Sequence, residues 1–153
     1  YQQIDLGFNY RMTELQAALG VTQMERLDQY VARRHQLARR YDDLLAGLPV
    51  TAPWQHADSY SGLHLYVIRL HLDQIQKTHR QVFEALRELG IGVNLHYIPV
   101  HTQPYYERMG FKPDDFPQSQ TYYQEAISIP MFQTMTDEQQ DEVIAALRQA
   151  VQA

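Results

Sequence analysis

Three Thr-x-x-Gln motifs, at Thr13/Gln16, Thr78/Gln81 and Thr136/Gln139, most constrain what this chain can fold into. At this spacing a threonine hydroxyl accepts from the backbone three residues on. The glutamine side chain reaches back to the threonine backbone, so a helix starts there. Each motif opens an apolar run at helical intervals. Leu15, Ala18, Leu19, Met24, Leu27, Val31, Leu37, Tyr41, Leu44 and Leu45 outline a long first helical segment. Gly20 and residues 28–30 are places where it can bend, and Gly47 with Pro49 ends it. The second motif leads into Val82, Phe83, Leu86 and Leu89, closed by Gly90; the third points Val143, Ile144, Leu147 and Val151 inward.

Extended runs separate these helices. Residues 63–72 read as a strand with Leu63, Leu65, Val67 and Arg69 on one face. Residues 91–96 read as a second strand, stopped by Pro99, and 127–129 as a short third. Residues 50–62 look irregular. Short helices are expected over 102–109, ended by Gly110, and over 117–126, opened by Pro117. The fold class is therefore α+β, with a long N-terminal helix and further helices packed on a small sheet of about three strands. Residues 1–47 form the long helical segment and 48–153 the small α+β domain. A first helix this long for so small a sheet predicts a partner domain or subunit.

The net charge of −5 argues against nucleic acid as a partner, because such binders carry a basic stripe. The one basic cluster, Arg33, Arg34, Arg39 and Arg40, is broken by apolar residues and reads as a solvated helix face. No apolar run is long enough for a membrane span, and no signal peptide is visible. The absence of cysteine excludes a disulfide scaffold and thiolate metal sites, and fits a reducing cytoplasm. The chain starts at Tyr1 rather than methionine, which suggests a fragment.

The densest chemistry lies in His96-Tyr97-Ile98-Pro99-Val100-His101, at the end of a predicted strand. His96 and His101 would oppose each other in a pure strand, but a turn at Pro99 lets both imidazoles face one cleft. There they suit acid–base work or hydrogen bonding to sugar hydroxyls and phosphates; two surface loop histidines are the plain alternative. No third ligand at metal spacing accompanies them, so no metal is expected. A second candidate is the segment from Gly7 to Met12, where Asn9 and Arg11 precede a helix N-terminus that favours anions. A glycine turn with Asn9 serving the local backbone is the plainer alternative, and the residues alone favour it. The aromatics Tyr105, Tyr106, Phe111, Phe116, Tyr122 and Tyr123 read mostly as core. Neither Lys77 nor Lys112, the only lysines, has the surroundings of a Schiff-base lysine. The residues offer binding groups and no evident nucleophile.

The run from Gly7 to Gly20, with Arg26-Leu27-Asp28, Arg33-Arg34 and Tyr41, resembles the segment following the catalytic-lysine region in the DegT/DnrJ/StrS family. The run from Gly92 to His101, with Pro104-Tyr105-Tyr106, is similar to that family's substrate-side loop, and residues 128–136 to its closing segment. The segment from His96 to Pro117 looks closest to the branch acting on the way to pseudaminic acid. The resemblance implies a fold type I, pyridoxal 5'-phosphate-dependent homodimer. Such an enzyme aminates the C4 ketone of a nucleotide sugar with an amino donor, usually glutamate. It further implies that the Schiff-base lysine lies upstream of this chain, leaving no catalytic residue within it. The position of Asn9 reaches the cofactor phosphate of the other subunit. Those of Tyr10 and Arg11 lie beside it, and those of His96, Tyr97 and His101 line the substrate side. A non-catalytic nucleotide-sugar binding or dimerisation module is the competing reading.

Overall fold

The computed structural model describes Asp5, Phe8 and residues 10–152. Two helices come first, α1 (Glu14–Met24) and α2 (Leu27–Leu44). They are followed by β1 (Val50–Thr51), β2 (Tyr66–Leu70), α3 (His79–Glu88), α4 (Pro104–Glu107), α5 (Pro117–Glu125), β3 (Ala126–Ile129) and α6 (Asp137–Gln152). Single 3-10 turns at Val100–Thr102 and Pro113–Asp115 flank α4. The sheet is antiparallel with order β1-β2-β3. This is the α+β class that the pattern of capped helices and extended runs predicts.

All three capping boxes form: Thr13 with Gln16 opens α1, Thr78 with Gln81 opens α3, and Thr136 with Gln139 precedes α6. Gly90 takes φ +82° and ends α3 as expected. The first helical segment breaks at Glu25 and Arg26 rather than at Gly20 or residues 28–30. The two halves have different surroundings: α1 buries no residue, whereas α2 buries Leu37, Ala38 and Tyr41.

Along β2 the buried residues are Tyr66, Ile68 and Leu70, the opposite parity from the sequence reading. Two contacts decide it. The Tyr66 ring lies 5.0 Å from that of Tyr41, and its hydroxyl donates to Asp42. Arg69 keeps its charge on the other face, 3.5 Å from Glu125 of α5. Leu63 is buried from the loop before the strand, with φ +44°. The core joins Tyr66, Ile68, Leu70, Ile127 and Ile129 to side chains of α2, α3 and α6, including Leu37, Val82, Leu86, Ile144 and Leu147. Full burial of such side chains contributes about 1.5–3 kcal/mol each.

The predicted strand over 91–96 is reduced to one bridge, Asn94 with Ser128, and residues 50–62 conceal β1. The arginines of α2 are not a solvated face. Arg33 donates to the Met135 carbonyl (2.7 Å), Arg40 to Asp141 (2.8 Å), and Arg34 to the carbonyls of Leu63, His64 and Met131; only Arg39 is exposed. The reason is burial of their neighbours: Leu37, Ala38 and Tyr41 dock α2 on the core, bringing Arg33 and Arg34 to loop carbonyls and Arg40 to the Asp141 carboxylate of α6.

Candidate functional site

Register places the polar groups. Residues directly opposed in an antiparallel pair share a face, so Val67, Ser128 and Asn94 lie on the sheet face away from the core. The Asn94–Ser128 bridge has both bonds, Asn94 N–H to the Ser128 carbonyl (3.1 Å) and Ser128 N–H to the Asn94 carbonyl (2.9 Å). Two residues on, the half-buried His96 places Nδ1 2.7 Å from Ser128 Oγ. The Tyr97 ring stands edge-on to that of His96, 4.6 Å away, and is 72% exposed.

His101 is placed differently. It is 8% exposed, its Nε2 donates to the Pro113 carbonyl (3.1 Å), and its ring lies 4.8 Å from that of Phe116. The two imidazoles therefore have separate partners: His96 is held by β3, and His101 ties the turn after Pro99 to the turn at Pro113. From His101 a file of rings continues through Phe116, Phe111 and Tyr106 to Tyr105 at centroid spacings of 4.8–6.3 Å. Phe116, Phe111, Tyr106 and Tyr105 are 48, 40, 36 and 59% exposed, so this file is a surface feature rather than the core the sequence suggests. The segment between Pro99 and Pro117 holds only short helices and turns, too little scaffold to enclose its aromatics.

Tyr10 and Arg11 stand exposed just before α1, and Asn9 lies outside the described residues. Lys77 donates from Nζ to the Ala150 carbonyl (3.0 Å) near the end of α6, a helix-terminus contact. Lys112 is exposed, and its backbone N–H donates to Asp115 (2.8 Å). Both lysines thus have structural settings. A cavity of about 870 Å³ opens beside α3, lined by Leu72, Ile75, Lys77, Phe83, Leu95 and Tyr123 among others; Tyr10, Arg11, His96, Tyr97 and His101 are not among its described lining residues. A second, of about 390 Å³, lies on the same sheet face as Ser128, between Trp54, Val67, Arg69 and Tyr122. Ser128, the residue that holds His96, is not singled out by the sequence reading. Its only signal is a hydroxyl within an otherwise apolar strand.

Comparison with known proteins bears on the fold and the family. Spore coat polysaccharide biosynthesis protein SpsC of Bacillus subtilis is 37% identical over 99% of this chain. This chain spans 40% of the length of SpsC. Among solved structures, S. venezuelae DesV in complex with a ketimine intermediate is 28% identical. It superposes with a TM-score of 0.90 over all of this chain and 40% of its own. The PLP form of a sugar aminotransferase described as putative, Spr1654 of Streptococcus pneumoniae, is 25% identical, with a TM-score of 0.83 over 92% of this chain and 36% of its own. The family model described as DegT/DnrJ/EryC1/StrS aminotransferase matches residues 1–148, nearly the whole chain and both candidate segments, and the chain belongs to that family.

Proposed function

We propose that this chain works as the C-terminal part of a pyridoxal 5'-phosphate-dependent aminotransferase. Its substrate is a UDP-linked 4-keto-6-deoxy sugar, aminated at C4 with glutamate as donor. The branch proposed is the one forming UDP-4-amino-4,6-dideoxy-N-acetyl-β-L-altrosamine on the way to pseudaminic acid, in the cytoplasm. The observation that carries the reading is the family match running unbroken over residues 1–148 of a chain 40% as long as its relative SpsC. No helix among the described residues is long and apolar enough to cross a membrane.

The cofactor, when bound, supplies the electron sink for amine transfer. The residues of this chain fit one wall of its site. Arg11 and Tyr10 stand exposed beside the capped start of α1, suited to an anionic group. Asn9 is proposed to reach the cofactor phosphate of the partner subunit. His96, Tyr97 and His101 are proposed for the sugar side with Tyr10 and Arg11, His101 standing in its own setting against Pro113 and Phe116. A homodimer is supported by α1, where Leu15, Leu19, Val21 and Met24 are 61–81% exposed and no residue is buried. Exposed apolar surface of that extent marks an interface.

The test uses two proteins, this chain and the polypeptide encoded when its reading frame is extended upstream to relative length. The longer protein should show Schiff-base absorbance with pyridoxal 5'-phosphate and convert the UDP-4-keto sugar and glutamate to a 4-amino product. This chain alone should do neither. A borohydride-stable cofactor adduct on Lys77 or Lys112 of this chain would overturn the reading.

A further inference from the structure

Ser128 is the one polar residue of β3, a strand whose four residues are all buried, and it is 5% exposed. A hydroxyl there needs a partner, and the partner is Nδ1 of His96 at 2.7 Å. The bridge to Asn94 fixes both backbones, so the hydroxyl meets the ring from a position set by the sheet.

Three other histidines are held differently, while His71 also meets a hydroxyl, that of Thr51, through Nε2. His35, His79 and His101 each present Nε2 to a carbonyl, of Ser61, Ala126 and Pro113. A carbonyl only accepts, so in each the hydrogen must reside on Nε2. His96 faces a hydroxyl, which can donate or accept. No other hydrogen bond of the Ser128 hydroxyl is present among the described residues. Were it to accept from Nδ1–H, its own hydrogen would be buried with no acceptor. Donating to Nδ1 satisfies that hydrogen and leaves the ring hydrogen on Nε2.

We propose that Ser128 is a positioning residue for His96: its hydroxyl donates to Nδ1, holds the imidazole in the Nε2–H form, and turns that N–H away from β3 as a donor to a sugar oxygen. Nε2 lies across the ring from Nδ1, so a ring anchored by Nδ1 on β3 presents Nε2 outward. Nε2 has no hydrogen-bond partner among the described residues. The part concerning sugar rests on the function proposed above; the part concerning the ring does not.

The experiment is nitrogen-15 NMR of histidine-labelled chain, above the titration range of the imidazoles. Wild-type His96 should be a single Nε2–H tautomer. Ser128→Ala should raise the Nδ1–H fraction roughly three- to tenfold, the change expected for losing one hydrogen bond. Ser128→Thr, which keeps the hydroxyl, should restore the wild-type signature. The signals of His35, His79 and His101 report whether each variant retains the fold. A wild-type His96 carrying its hydrogen on Nδ1, or an unchanged tautomer in Ser128→Ala, overturns the positioning role. The second arm measures kcat/KM in the relative-length polypeptide. If Ser128→Ala shifts the tautomer and lowers kcat/KM while Ser128→Thr recovers both, the whole proposal stands. A tautomer shift with unchanged kcat/KM keeps the positioning and removes the sugar-facing role.

Discussion

Replacing Arg34 with methionine keeps most of the side-chain stem and removes the guanidinium. Nη1 lies 2.9 Å from the Leu63 carbonyl, 3.0 Å from that of His64 and 3.2 Å from that of Met131. One Nη1 has two hydrogens, so one of them is shared between acceptors. Two charge-assisted bonds at about 1.5–3 kcal/mol each set the upper range, and the exposed His64 carbonyl, which water can satisfy, lowers it. The expected loss is about 3 kcal/mol, a large part of the roughly 5–15 kcal/mol that holds a domain together. In urea unfolding followed by circular dichroism the midpoint should fall by roughly 1–2 M with little change in slope. Arg39→Met, on the exposed side of the same helix, is the control and should stay within about 0.5 kcal/mol of wild type. Arg34→Lys should fall between them, because an ammonium lacks the planar fork. If Arg34→Met and Arg39→Met unfold at the same urea concentration, the carbonyl clamp does not hold α2 and the reasoning fails.

Two further outcomes follow from the core and the caps. Burial, chiefly, raises the Tyr41 and Tyr66 hydroxyls above the ordinary tyrosine range, and the Asp42 carboxylate raises Tyr66 further. Unfolded tyrosines ionise near pH ~10 while these two keep their protons, so their contribution is complete below ~10 and declines above it. The decline should approach about 1.4 kcal/mol per pH unit for each tyrosine. Urea midpoints between pH 8 and 11 should show it, and Tyr41→Phe with Tyr66→Phe should flatten it; an equally steep fall in the double variant would rule these phenols out. Thr136→Ala should lower global stability by about 1 kcal/mol, because α6 buries seven residues in the core. Thr13→Ala should reduce helical signal while leaving the main unfolding midpoint in place, since α1 buries none. Equal shifts in midpoint for the two would show α1 to be coupled to the core.

What the sequence makes legible here is what a few consecutive residues decide. Thr78 and Gln81 satisfy each other's backbone within one turn, and Gly90 supplies the positive φ that closes the helix, so α3 can be placed without knowing its neighbours. The parity of β2 cannot, because Val67 and Ile68 are equally apolar and the choice rests on Tyr41, 25 positions before Tyr66, and on Glu125, 56 after Arg69. The arginines of α2 mislead for the same reason: their partners, loop carbonyls for Arg33 and Arg34 and the Asp141 carboxylate of α6 for Arg40, lie far along the chain, where no composition reveals them. At the site, the His96 cluster stands out as a dense run of chemistry-bearing residues. Its anchor, Ser128, lies 32 residues away and becomes a partner only when β3 meets Asn94.

The contrast between α1 and α2 carries this further. Both derive from one apolar periodicity, yet α2 is fixed by distant groups at nearly every turn. The Tyr41 hydroxyl donates to the Pro130 carbonyl, Gln140 to the Leu37 carbonyl and Arg148 to the Leu44 carbonyl, in addition to the arginine tethers. For α1 the capping box is the fixed point, and a helix of 11 residues is marginal in water without packing. Its leucines and methionine therefore need an apolar surface to cover them before the helix adds to stability. The candidate donors Tyr10 and Arg11 sit at its capped end. Covering α1 and fixing Tyr10 and Arg11 are thus one event: a surface that buries Leu15 and Leu19 also sets where Arg11 stands.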